Sequence, residues 1–274
     1  MAASKETSGS ALAKIHGTPI AVRGASKTYA TRSGEAVRAL DPIDCDVASG
    51  EFISIVGPSG CGKSTLLLMI GGLLRCSQGS IQVGDALVTH PHPNSAAVFQ
   101  RDLLLKWRNV LDNILLPVEI KKWKVADYVG RAERLMAQVG LQDFKSKFPD
   151  ELSGGMRQRV AICRALVQEP RLLLMDEPFG ALDALTREQM SVDLLKLWQQ
   201  VKNTVIFVTH SVDEAVFLSD RVIVMTPRPG RVDLDLKIDL PRPRKLSIRS
   251  SPEFLSYVTT IRKAFEARGI LVEE

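Results

Sequence analysis

The chain has 274 residues, 45% of them hydrophobic, which is enough to bury a sizeable core and too many for a disordered protein. Its net charge of +5 is compatible with an anionic ligand, nucleic acid or an anionic membrane, selects none of them, and is accounted for by an ordinary solvated surface. The four cysteines, Cys45, Cys61, Cys76 and Cys163, show no CxxC pair or metal-ligand spacing, which argues against a disulfide framework or zinc and for a reducing compartment.

Residues 1–18 are rich in small and polar residues and lack the apolar core of a secretory signal, so they are expected to be a flexible tail. The β-prone runs Ile20–Ala30 and Ala36–Val47, split by the turn-like Arg32, Ser33 and Gly34, predict strands of a small antiparallel sheet. Tyr29 is placed to stack on a nucleotide base or simply to pack. After the apolar run Phe52–Val56 comes GPSGCGKST: Gly57, Pro58, Ser59, Gly60, Cys61, Gly62, Lys63, Ser64 and Thr65. This fits GxxxxGK[ST], the phosphate-binding loop. Its glycines let consecutive backbone N–H groups face phosphate oxygens, Lys63 supplies charge for the β- and γ-phosphates, and Ser64 offers a hydroxyl to Mg²⁺. Leu66 to Leu68 continue a helix whose N-terminal dipole faces the anion. The most apolar stretch, Leu66–Leu74, is too short to cross a bilayer, so a membrane role requires a partner.

Gly79–Val88 alternates like a hairpin strand, and Ser95–Phe99 reads as a short buried strand ending at Gln100. That glutamine either reaches a metal or lies on the surface. Residues 102–160 form a helical insertion, with helical apolar spacing over Val110–Ile120 and Ala126–Val139. Within it, Leu103, Leu104, Leu105 and Trp107 are too apolar for an exposed loop and are either core or a contact surface. The segment LSGGMRQR places Ser153, Gly154 and Gly155 at the start of a helix, a second anion site. A chain with one phosphate loop needs a second such site if it completes the pocket of another copy, so a dimer is expected.

The run Leu172–Met175 is a strand buried in a parallel sheet and ends in Asp176 and Glu177. Asp176 is placed to hold Mg²⁺ through water, and Glu177 to polarise the water that attacks the γ-phosphorus. A helix over Ala184–Val201 and a strand over Thr204–Val208 lead to His210, which points at the same sheet edge. The Pro- and Arg-rich stretches Pro227–Val232 and Leu240–Arg244 read as turns and edge segments on a solvated face. Pro252–Ala267 predicts an amphipathic helix, N-capped by Ser251, with Phe254, Leu255, Val258, Ile261 and Phe265 on one face.

The ordered set GPSGCGKST, Gln100, LSGGMRQR, LLLMDEP, Ala181-Leu182-Asp183 and His210 resembles the ATP-binding subunit of ABC transporters from about residue 20 onward. The resemblance implies an α/β fold: a P-loop NTPase (RecA-like) core with an antiparallel β subdomain and an inserted α-helical subdomain over about 102–160. The whole domain would span 19–274, with a C-terminal extension over about 227–274. It also implies ATP hydrolysis with Mg²⁺, Tyr29 as the adenine-stacking aromatic, and Gln100 linking metal to membrane partner. Ser153 to Gly155 would contact the γ-phosphate in trans, and His210 would be the switch histidine. The implied partners are a second copy, head to tail, permease subunits at the cytoplasmic face of the inner membrane, and indirectly a solute-binding protein, with no nucleic acid. Met156, PRPGR, LPRPR and SPEF resemble the branch importing nitrate, sulfonates, taurine and similar small compounds, a branch that also includes importers of thiamine-precursor pyrimidines. Lys106 departs from it, standing where a proline is usual. A soluble ABC-type ATPase is the competing class; a single cassette without long coiled-coil heptads argues against it.

Overall fold

The computed structural model describes residues 17–30 and 34–270; the tail residues 1–16 and the turn residues Arg32 and Ser33 lie outside them. Thr18, placed in the tail by composition, is buried in the fold. Its N–H donates to Thr204 Oγ1 at 3.0 Å, and that hydroxyl donates back to the Thr18 carbonyl at 2.6 Å.

The elements run β1 (Ile20–Ala30), β2 (Ala36–Val47), β3 (Phe52–Val56), α1 (Lys63–Ile70), β4 (Gln78–Val83), β5 (Ala86–Leu87) and β6 (Ser95–Val98). The helical insertion follows, with α2 (Val110–Ile120), α3 (Ala126–Gln138) and α4 (Gly154–Leu166). The chain then returns through β7 (Leu172–Asp176), α5 (Ala184–Val201), β8 (Thr204–Val208), α6 (Val212–Leu218), β9 (Arg221–Met225), β10 (Val232–Lys237) and α7 (Pro252–Glu266). One sheet has the order β2-β1-β4-β5 and is antiparallel. The other has the order β10-β9-β3-β8-β7-β6 and is parallel except for β10.

Every residue of β3 and β8 is buried, which is why these strands are continuous apolar runs and not alternating ones. On one side, α1 lies between the sheets, where Leu66, Leu67 and Met69 meet Val22 and Leu40 from the antiparallel sheet and Ile53 and Ile206 from the parallel one. On the other, Phe52, Phe207, Phe179 and Trp198 form the centre of a core shared with the insertion and the C-terminal helices. Phe52 stands edge-on to Trp198 with centroids 5.6 Å apart. Fully burying a side chain of this size contributes roughly 1.5–3 kcal/mol over leaving it exposed. The neighbouring strands β9, β3, β8, β7 and β6 are parallel, so the segments that follow them emerge at a single carboxyl edge, where open α/β sheets bind ligands.

The C-terminal stretch departs from expectation in two places. Arg244, expected on a solvated face, is buried. Its Nη1 donates to the carbonyls of Val216, Phe217 and Ser219 at 3.1, 3.0 and 2.7 Å, and its Nη2 to that of Leu240 at 3.2 Å. The first three acceptors lie at the C-terminal end of α6, where unpaired carbonyls and the helix dipole concentrate negative potential. Burial pushes its pKa down to about 10, which leaves it cationic at neutral pH. Arg242 is likewise partly buried, its guanidinium 4.4 Å from the Trp198 ring centroid and ion-paired to Asp220 at 2.8 Å. Between the two Pro- and Arg-rich stretches, residues 232–237 form an edge strand that the sequence reading did not separate. In α7, capped by Ser251, the face formed by Phe254, Val258, Ile261 and Phe265 is buried, whereas Leu255 is exposed, so the apolar stripe is narrower than expected.

Candidate functional site

Residues 57–65 join β3 to α1 and curl over the sheet's carboxyl edge. Gly62 has φ 104°, and a Cβ there would stand 2.4 Å from Leu40 Cδ2, so both backbone angle and space demand glycine. Lys63 is buried, and its Nζ donates to the carbonyls of Gly57 at 2.9 Å and Pro58 at 3.0 Å. The ammonium thus ties the start of the loop to the start of α1. Cys61 turns its side chain the other way, into the core beneath the loop, and burial pushes its thiol pKa up.

Ser64 Oγ donates to Asp176 Oδ1 at 2.8 Å, which ties the start of α1 to the end of β7. Next to it, Glu177 sits at φ 47°, a left-handed conformation unusual for a glutamate. Its N–H donates to Val208 O at 2.9 Å, and its carbonyl accepts from Gly180 N–H at 3.0 Å. These bonds aim the side chain at His210, whose Nε2 lies 2.6 Å from Glu177 Oε1.

The phosphate loop, Tyr29, Glu177 and His210 enclose one cavity of about 500 Å³. Tyr29 is 38% exposed, with its hydroxyl 3.3 Å from Thr65 Oγ1 and Lys27 Nζ 5.3 Å from its ring centroid. Its ring is therefore available to a ligand and not consumed by packing. Arg228 also lines this cavity, a residue that its Pro- and Arg-rich context assigned to a turn. The signal that could have found it is its position at the end of β9, beside the phosphate loop's own strand.

Gln100 does not line that cavity. It lies behind the Glu177–His210 pair, in a smaller space of about 160 Å³ that also contains Arg187 and Glu214. Glu214 was not singled out by sequence; it is buried, Thr209 Oγ1 donates to it, and burial pushes its pKa up. Ser153, Gly154 and Gly155 stand apart from the phosphate cavity. Ser153 Oγ accepts from Met156 N–H at 3.3 Å as the N-cap of α4. Gly155 is small for a packing reason, because a Cβ would lie 2.8 Å from Thr186 Cγ2. Gly154, by contrast, is exposed and leaves the backbone open to an external ligand.

The polar face of α4 grips the segment after Gln100. Arg164 donates to the carbonyls of Asp102 at 2.6 Å and Leu103 at 2.7 Å, Arg157 Nε lies 3.0 Å from Asp102 Oδ2, and Gln158 donates to Phe99 O at 3.3 Å. Leu104 turns inward against the core, while Leu103 and Trp107 face outward, Trp107 being 74% exposed. The apolar run is thus divided between core and surface.

The ABC transporter family profile matches residues 40–180. A taurine import ATP-binding protein, TauB, of Rhizobium johnstonii is 46% identical over 243 residues, which cover 87% of this chain and 93% of that protein. An uncharacterized ABC transporter ATP-binding protein of Methanocaldococcus jannaschii is 48% identical over 225 residues, covering 82% of this chain and 83% of the other. A solved dimeric ATP-binding cassette, in a post-hydrolysis state bound to ADP and Pi, matches with a TM-score of 0.71 at 31% identity, over 81% of this chain and 100% of its own.

Proposed function

The chain belongs to the ABC transporter family, and from that premise we propose that it is the ATP-hydrolysing subunit that powers import of a small sulfonate such as taurine through a membrane permease. The observation that carries the catalytic half is the Glu177–His210 contact at the rim of the phosphate cavity. ATP would lie with its base on Tyr29 and its β- and γ-phosphates on the loop amides and Lys63. Glu177 would accept the proton of the water whose oxygen bonds to the γ-phosphorus as the bond to ADP breaks, and His210 would hold that carboxylate in place.

The hydroxyl of Ser64 beside the carboxylate of Asp176 is a hard-oxygen pair at the loop's mouth, and such a donor set fits Mg²⁺. Those two residues would hold the ion, and Gln100, behind the Glu177–His210 pair, would link the metal to the membrane partner. When bound, Mg²⁺ would neutralise charge on the phosphate oxygens. Ser153, Gly154 and Gly155, remote from their own chain's phosphate cavity, would complete the partner's in a head-to-tail dimer. Lys63→Ala is expected to raise the Kd for ATP by at least about tenfold, since a hydrogen bond to a charged group is worth about 1.5–3 kcal/mol. Calorimetric titration checks this, and an unchanged Kd would remove Lys63 from the binding site.

Among the described residues no helix is long and apolar enough to cross a membrane. A role in transport therefore needs a docking surface, placed here at Leu103 and Trp107 at the entry to the helical subdomain. The clamp from α4 onto residues 99–103 ties that surface to the segment carrying Gln100. On this reading the chain sits at the cytoplasmic face of the inner membrane through its permease. Trp107→Ala should leave the melting temperature and ATP binding intact and weaken copurification with the coexpressed permease by about 2 kcal/mol. Leu104→Glu should instead lower the melting temperature, because Leu104 packs against the core. Normal copurification of Trp107→Ala would move the docking surface elsewhere. ATP-dependent uptake of labelled taurine into proteoliposomes holding the complex tests the function itself; uptake independent of Glu177 would overturn it.

A further inference from the structure

A second cavity, of about 280 Å³, adjoins the nucleotide cavity and is walled by Arg228, Arg231 and Arg268, with Asp41 and Thr226 between them. Three cationic side chains face a single carboxylate. Asp41 is ion-paired to Arg38 Nε at 2.8 Å, and Thr226 Oγ1 donates to Pro227 O at 3.1 Å while accepting from Arg231 N–H at 3.2 Å. The polar groups between the arginines are therefore already engaged. Pro227 and Pro229 have no N–H, so the charged donors here are the guanidinium groups. Arg268 is held by Asp233, with its Nε 2.9 Å from Oδ1. The Arg228 side chain makes only a long hydrogen bond, 3.4 Å, to Arg38 O. The Arg231 side chain is exposed, and its guanidinium has no hydrogen-bond or ion-pair partner among the described residues. Two of the arginines lining this space thus have no carboxylate partner among the described residues, and the planar fork of arginine matches pairs of oxygens on a tetrahedral anion. The volume leaves room for a sulfonate or phosphate group with a short substituent.

The frame around these side chains is fixed. Gly230 N–H donates to Ala39 O at 2.9 Å, and Asp41 N–H donates to Gly230 O at 2.9 Å, stitching the loop to β2. On its other side Gly230 rests on the phosphate loop, where a Cβ would stand 1.9 Å from the Cys61 carbonyl oxygen. Arg228 lines both cavities, so one long side chain is shared by the two sites.

We propose that the arginine cavity is a regulatory site for a small tetrahedral oxyanion, and that its occupant weakens ATP binding by drawing Arg228 away from the nucleotide. Reciprocity then requires ATP to weaken the anion by the same factor. The anion is either a sulfonate delivered by transport, which rests on the import reading, or the phosphate released by hydrolysis.

Sulfate is the first probe, added to the full-length protein at constant ionic strength against chloride while ATP is titrated by calorimetry. Sulfate is expected to raise the wild-type Kd for ATP about five-fold, and Arg231→Ala to show a clearly smaller rise, the part due to direct competition, while keeping the wild-type melting temperature and the Kd in chloride. Sulfate also competes directly at phosphate loops, so an equal rise in Arg231→Ala would overturn the proposal. Direct titration of sulfate into Lys63→Ala separates the two sites: heat that persists there and vanishes in Lys63→Ala/Arg231→Ala supports the second cavity, and loss of heat in the single variant overturns it. Taurine and phosphate replace sulfate in turn; whichever reproduces the Arg231-dependent rise is the source, and failure of both overturns the regulatory role.

Discussion

Glu177→Gln is expected to bind ATP as the wild type does and to release phosphate at least about 10²-fold more slowly. The substitution keeps side-chain size and the hydrogen-bonding partnership with His210 but removes the proton acceptor. Nothing in the binding half of the site depends on that charge: Lys63 is held by Gly57 and Pro58, and Ser64 by Asp176. ATP should therefore accumulate in a closed dimer, visible as a two-fold larger species in gel filtration with Mg-ATP and not with ADP. Phosphate release at the wild-type rate would show that Glu177 is not the base, whereas loss of ATP binding would show that its charge supports the loop.

Arg244→Met should be the most damaging single change for stability. It fills a similar volume but leaves buried carbonyls of Val216, Phe217, Ser219 and Leu240 without their donor. At about 1–3 kcal/mol for each unsatisfied group, partly recovered by local relaxation, a loss of about 3 kcal/mol or more is expected. For a chain of this size that is a fall of roughly 6 °C or more in melting temperature, measured by calorimetry without nucleotide. Arg244→Lys should fall between, because a lysine restores the charge but cannot reach carbonyls at both ends of a planar fork. A melting temperature unchanged in Arg244→Met would mean that water replaces the guanidinium at no cost. Because α6 begins just after His210, ATPase activity measured well below the transition should also decline.

The limits of sequence reading follow from the same physics. Strands such as β3 and β8, and helices such as α2 and α5, were legible because continuous burial and 3.6-residue spacing leave direct traces in composition. The phosphate loop was legible because backbone geometry there permits few residue types. Arg244 was not, since an arginine is buried only when several carbonyls converge from distant segments, and that convergence has no local signature. Arg228 was hidden similarly, by a context of prolines that reads as a turn. Gly155 was read as bare backbone for an anion; the nearness of Thr186, a further reason for its small size, has no local signature. Arg157 was read only as part of a signature segment and Arg164 was not singled out; their grip on residues 102 and 103 depends on how α4 lies against the loop.

Glu177 occupies a left-handed backbone position that costs an ordinary L-residue about 1–2 kcal/mol and costs glycine almost nothing. The fold therefore holds its proposed chemistry at a place where its own backbone would prefer another residue. Any screen of variants that scores only heat resistance or soluble yield will tend to reward replacing this glutamate, and its winners will be robust proteins that bind ATP and do no work. Improvement of this chain by directed evolution has to select on turnover from the first round, because at this position the path toward sturdiness and the path toward activity separate at a single codon.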